Sequence, residues 1–182
     1  SGGGGVRMES GSALIVRNTI FWGNMDGTGM GESAHIRLAG VSSIDIDYSI
    51  VQGLTGGFGG TGNLGLDPVF FDVDGADNIV GTIDDDLRLR AGSPGIDAAD
   101  TTALPLDTYD LDGDRNTTER IPIDLAGNPR QFDDPNTPDT GVPGSPVVDM
   151  GAYEFFTDCN NNGVLDSTDI INATSTDCTA HN

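Results

Sequence analysis

Residues 6–23 read VRMESGSALIVRNTIFWG, and residues 36–53 read IRLAGVSSIDIDYSIVQG. Laid over each other at a shift of 30 residues, Val6 falls on Ile36, Arg7 on Arg37, Met8 on Leu38 and Ser12 on Ser42. Leu14 falls on Ile44, Val16 on Ile46, Thr19 on Ser49, Ile20 on Ile50, Phe21 on Val51 and Gly23 on Gly53. Within each copy the apolar residues alternate, which is the period of half-buried strands. One such unit, two or three short strands broken at Gly or Ser, cannot bury its own apolar face. Stacking successive units does, because equivalent side chains then lie above one another. Strands that recur in the same order pair in parallel, so the expected architecture is an all-β parallel β-helix. Val6/Ile36, Leu14/Ile44, Val16/Ile46 and Ile20/Ile50 are its expected interior stacks. The alternative, a β-sandwich with a chance repeat, is disfavoured by so many matches in one register. The polar, Gly-rich stretch 24–34 reads as a loop between rungs.

Outward from the repeat, residues 63–71 (NLGLDPVFF) and 87–89 (LRL) read as further strands, with a turn at Asp67-Pro68. Beyond Ala91 the chain is rich in Pro and Asp, and residues 147–155 (VVDMGAYEF) read as a strand that closes the body. Two regions are expected: rungs and closing loops over 1–156, and a small calcium-binding tail over 157–182.

Composition agrees with β structure and many turns. The 182 residues include 27 Gly and 9 Pro, and helix formers are scarce. Acidic residues number 29 and basic ones 8, a formal net charge of −21; every basic residue is Arg and no Lys occurs. Such a chain will not hold a phosphate backbone by counterion release, so nucleic acid is excluded as a partner. It is not drawn to anionic membrane surfaces, and no apolar run approaches the length of a membrane span. Lysine Schiff-base chemistry is excluded. Residues 1–71 carry a net charge of −3 and residues 72–182 a net charge of −18. The first part is thus a scaffold and the second a set of loops rich in oxygen ligands. Excess Asp without Lys fits a secreted protein in a calcium-containing medium, with a leader that is not part of this chain.

Several segments match one group of proteins. They are residues 18–24 (NTIFWGN), 48–53 (YSIVQG), 65–70 (GLDPVF), 87–89 (LRL), 92–98 (GSPGIDA), 124–130 (DLAGNPR) and 148–155 (VDMGAYEF). Their order resembles the end of bacterial right-handed parallel β-helix proteins of the pectate-lyase-like superfamily. The resemblance covers roughly residues 1–156. It implies a right-handed helix, an exported protein, and further rungs upstream of this chain. Some members of that superfamily are polysaccharide lyases or hydrolases, and the hydrolases use paired Asp residues. Here the one tight acid cluster is Asp84-Asp85-Asp86, in a loop after the repeats, and the hydrolase signatures are missing. His35 and His181 have no nucleophile at matching spacing. Phe21-Trp22 could stack on a sugar, though an aromatic pair in a rung more often packs in the core.

The remaining motifs concern calcium. Asp72, Asp74 and Asp77 alternate around a Gly, as do Asp110, Asp112 and Asp114, with Glu119 five residues on; such spacing lets carboxylates converge on one hard cation. A solvated acidic turn is the alternative for both. Residues 158–169 place oxygen side chains at positions 1, 3, 5, 9 and 12 of an EF-hand-like loop: Asp158, Asn160, Asn162, Asp166 and Asp169. Gly163 stands at position 6, and Val164 at position 7 offers its carbonyl. Asp at position 12, followed by Ile170-Ile171, resembles the loops of dockerins and of thrombospondin-type-3-like repeats. That resemblance implies a disulfide between Cys159 and Cys178. The expected function is a non-catalytic, exported structural, adhesive or surface-assembly protein stabilised by calcium. Its rungs would be open to end-to-end stacking with another copy. The alternative is a carbohydrate-active β-helix enzyme or sugar-binding module with a polysaccharide partner.

Overall fold

A computed structural model describes residues 5–40, 42–144, 146–156 and 166. Three strands make the first unit: β1 (Val6–Met8), β2 (Ala13–Arg17) and β3 (Ile20–Phe21). A single helical turn, α1 (Glu32–His35), leads into the second unit: β4 (Ile36–Leu38), β5 (Ser43–Asp47) and β6 (Ile50–Val51). The units pair strand for strand and in parallel, with Val6 opposite Ile36, Leu14 opposite Ile44, Val16 opposite Ile46 and Ile20 opposite Ile50. The register is that of the 30-residue repeat, and β2 and β5 bury the same positions.

Three details follow from local chemistry. Asn18 and Tyr48 both adopt positive φ, 52° and 48°, at equivalent places between the second and third strands of each unit. That left-handed residue changes the side-chain parity. Val51 therefore joins Val16, Ile36 and Ile46 inside the stack, with Phe21 packed against them. Ile20 and Ile50, expected inside, point instead into a second cluster with Ala98, Ala99, Leu104, Val148 and Met150. Trp22 packs on this second cluster, so Phe21-Trp22 is divided between two cores. At the end of α1, His35 is fully buried: its Nδ1 lies 3.0 Å from Asn24 Nδ2 and its Nε2 3.3 Å from the Met30 carbonyl. Those contacts assign the ring proton to Nε2, and burial lowers the histidine's pKa.

Among the described residues the second unit pairs onward in parallel at the bridge Ile50 to Leu64, a separate parallel bridge joins Asp100 to Val142, and the described residues do not close into a solenoid. The sequence there, 53–62, is Gly-rich and does not alternate. At Gly60 a Cβ would stand 1.8 Å from the Ile46 carbonyl, so the chain crosses the end of β5 where no other residue fits. Asn63 takes over the missing ladder. Its Nδ2 donates to the Ile46 carbonyl and its Oδ1 accepts from the Ser49 amide.

The later strands differ from further parallel rungs. β7 (Phe70–Asp72) and β8 (Asp86–Leu89) pair with each other, antiparallel. Residues 147–155 return to the body and are largely buried, as expected, but not as a strand. Side chains occupy the amides that a ladder would use. The Thr101 hydroxyl accepts from Val148, the Glu154 carboxylate from Asp149, Asp124 from Glu154, and Asp149 from Phe155. At their centre Arg130 pairs with Glu154 at 2.6 Å and donates to the Asp149 and Gly151 carbonyls. Burial raises the pKa of Glu154, with Asp149 adding and Arg130 opposing. Asn18 fastens this region to the first unit: its side chain donates to the Asp100 carbonyl and accepts from the Asp100 amide, both at 2.8 Å.

Candidate metal centres

The acidic loops of the closing region are built on short bases. Leu106 and Arg120 bridge antiparallel, the Asp107 amide donates to the Glu119 carbonyl, and the Ile121 amide to the Pro105 carbonyl. Residues 107–119 are thereby an excursion whose ends are held together. Its backbone turns inward at Asp110, Gly113 and Arg115, all with positive φ. Carboxylate oxygens of Asp110, Asp112 and Asp114 come within 4.8 Å of one another, and so do oxygens of Asp107, Asp112 and Glu119. Asp112, with two oxygens, belongs to both groups.

The inner group differs from a solvated acidic turn. Asp107 is 1% exposed. Its Oδ2 accepts from the Leu111 amide at 2.8 Å, but its Oδ1 is buried with no donor. Glu119 Oε2 accepts from Asn116 Nδ2 at 2.8 Å, while Oε1 is buried and has no donor either. Burial raises the Glu119 pKa, and the charges of Asp114 and Asp112 push it the same way. Buried carboxylate oxygens without donors are costly. Two acids that each carry one, converging with a third, are the arrangement that a hard divalent cation neutralises with oxygen ligands. In the outer group one oxygen of each acid is engaged by the loop itself: Asp110 Oδ1 by the Arg115 amide, Asp112 Oδ1 by the Asp114 amide and Asp114 Oδ1 by the Asn116 amide.

A second group lies between distant segments: Asp97, Asp133 and Asp139 also bring oxygens within 4.8 Å of one another. Asp97 sits at φ 48° with both backbone groups tied down. Its amide donates to Asp149 Oδ1, and its carbonyl accepts from the Thr140 and Gly141 amides. Gly141 approaches so closely that a Cβ would stand 2.0 Å from the Ala99 carbonyl. Asp134, between the other two acids in sequence, is used up by its own turn, accepting from Asn136 and Thr137.

The other expected residues sort as follows. Asp74 is raised in pKa first by a hydrogen bond shared with Asp72. Asp77 turns to the Ile79 amide and Thr82, so Asp72, Asp74 and Asp77 do not converge on one point. Asp84 accepts from the Asp77 amide and Thr82, Asp85 from the Gly81 amide, and Asp86 pairs with Arg88; these three acids hold a turn. Of the loop 158–169 only Asp166 is among the described residues, and it is half-buried. Asp158, Asn160, Asn162, Val164, Asp169 and the Cys159–Cys178 pair lie outside them.

Sequence reasoning missed Asp107, which extends the 110–112–114 spacing by one turn and was legible as such. It also missed Asp97, Asp133 and Asp139, whose separation in sequence gives no spacing to read. Among the described residues no helix is long and apolar enough to cross a membrane. No family model, curated protein or solved structure matches the chain.

Proposed function

We propose that this chain is a non-catalytic, exported structural or surface-assembly protein: rungs of a right-handed parallel β-helix whose closing loops are cemented by calcium. The observation that carries the reading is a buried, donorless oxygen on each of Asp107 and Glu119, two acids whose carboxylates converge with that of Asp112. A cation there bridges the two ends of the 107–119 excursion and so fixes the base on which Arg120 reaches the Leu104 carbonyl. That is a cementing role, since the ligands close a loop rather than line a cleft. The composition supports export, because a chain with 29 acids and no Lys suits a medium in which calcium is abundant. Self-association fits the same reading. Each of β1, β2 and β3 is paired along one edge only among the described residues, and a free parallel edge accepts further strands.

Calcium titration of Asp107→Asn against the parent chain tests the proposal. The variant keeps the Leu111 amide's acceptor and loses the charge. It should bind one calcium fewer, whereas an unchanged number of bound ions would refute the cementing site.

A further inference from the structure

We propose that Asp97, Asp133 and Asp139 form a second divalent-cation site, selective for calcium, that locks the loop 133–139 onto the segment through Asp97. It stands on observations separate from those of the 107–119 loop. Asp97 is 1% exposed, and neither of its carboxylate oxygens has a hydrogen-bond donor. Both belong to a side chain aimed at the carboxylates of Asp133, half-buried, and Asp139, exposed.

Ordinary packing gives no reason for this geometry. The backbone of Asp97 is fully bonded, and a residue tolerant of positive φ without a charge, such as Asn, would satisfy the turn equally well. Instead a fixed negative charge is buried beside two others. Burial opposes that charge, and so do the carboxylates of Asp133 and Asp139 beside it. A bound cation removes both penalties.

The ligand chemistry selects the ion. All three groups are carboxylates with neither His nor Cys among them, which favours a hard cation. The gradient from buried Asp97 to exposed Asp139 leaves the outer positions to water. Calcium accepts such a flexible, mixed set, whereas magnesium demands near-ideal octahedral geometry and gives up its waters reluctantly.

The consequence is structural. The segment carrying Asp97 is bonded to Asp149 and, through the Thr140 and Gly141 amides, to the end of the 133–139 loop. Ion binding would thus tie three stretches of the closing region together at one point.

The test uses the full chain and Asp97→Asn, which keeps the shape and tolerates φ 48°, with Asp139→Asn, at the exposed end of the cluster, as a second variant. In calcium titrations by calorimetry, Asp97→Asn should bind one ion fewer than the parent, and Asp139→Asn should weaken that ion roughly tenfold or more. In chelator, Asp97→Asn should melt above the parent; in calcium it should melt below it. Equal numbers of bound ions in parent and Asp97→Asn would overturn the site. So would a variant that melts below the parent in both solutions, since that is the mark of a purely structural carboxylate. A count that falls by one in Asp97→Asn but not in Asp107→Asn would sustain this site while sinking the one in the 107–119 loop.

Discussion

Asn18 joins the first unit to the closing region, and its replacement separates two contributions that the structure predicts together. The side chain holds both backbone groups of Asp100, at 2.8 Å each, and its own backbone is left-handed at φ 52°. In Asn18→Gly the backbone is free of strain, but the Asp100 amide and carbonyl lose their partners. Each partly buried group left unsatisfied costs about 1 kcal/mol at the low end of the range, so this variant loses about 2 kcal/mol. Asn18→Ala loses the same bonds and adds the Cβ penalty of the left-handed region, about 1 kcal/mol more, for a total of about 3 kcal/mol. In a chain of this size each kcal/mol moves the thermal midpoint by roughly 2–4 °C. The expected order is parent, then Gly about 4–8 °C lower, then Ala about 6–12 °C lower. Urea unfolding of the three proteins, in calcium throughout, measures the free energies directly. Equal stabilities for Gly and Ala would refute the left-handed turn. An Ala variant within about 0.5 kcal/mol of the parent would refute the fastening of Asp100.

His35 and the Arg130–Glu154 pair give two further expectations. Burial depresses the His35 pKa below its ordinary 6.5, so the folded state binds fewer protons than the unfolded state below that value. His35 therefore contributes stability that is present above pH 6.5 and lost as the pH falls through the folded pKa. Between about pH 7.5 and about pH 5 the melting temperature of the parent should fall relative to that of His35→Gln, the buried acids titrating alike in both; parallel curves would contradict it. Arg130→Met removes a buried charge from a 2.6 Å pair and two carbonyl contacts, at a cost of about 3–5 kcal/mol. Glu154→Gln in that background should recover part of the loss in denaturant unfolding, and strictly additive losses would argue against the pair.

The repeat was legible because it is written in side chains at fixed spacing. Val16 over Ile46 and Leu14 over Ile44 follow from alternation and a constant shift. What alternation could not show was the parity change at Asn18 and Tyr48. A left-handed residue is not marked by hydropathy, and Ile20 and Ile50 therefore went to the wrong core. The antiparallel β7–β8 pair and the irregular 147–155 segment were obscured for another reason. There, hydrogen bonds from Asp124, Asp149, Glu154 and Thr101 replace the ladder, and apolar pattern carries no information about them. The candidate metal ligands divide in the same way. Asp110, Asp112 and Asp114 are neighbours in sequence and could be read. Asp97 meets Asp133 and Asp139 only through folding, and its single acid in the run 95–98 (GIDA) is the sole trace of burial.

Thermal unfolding of the full chain in chelator, in about 5 mM magnesium and in about 5 mM calcium tests calcium cementing most directly. An ion that binds only the folded state stabilises it by about 2.7 kcal/mol per site at a hundred times its dissociation constant, or roughly 5–11 °C for a chain of this length. Calcium should raise the midpoint by at least that much and magnesium by clearly less, and the calcium increment should shrink in Asp107→Asn. Coincident midpoints in chelator and in calcium would contradict the account.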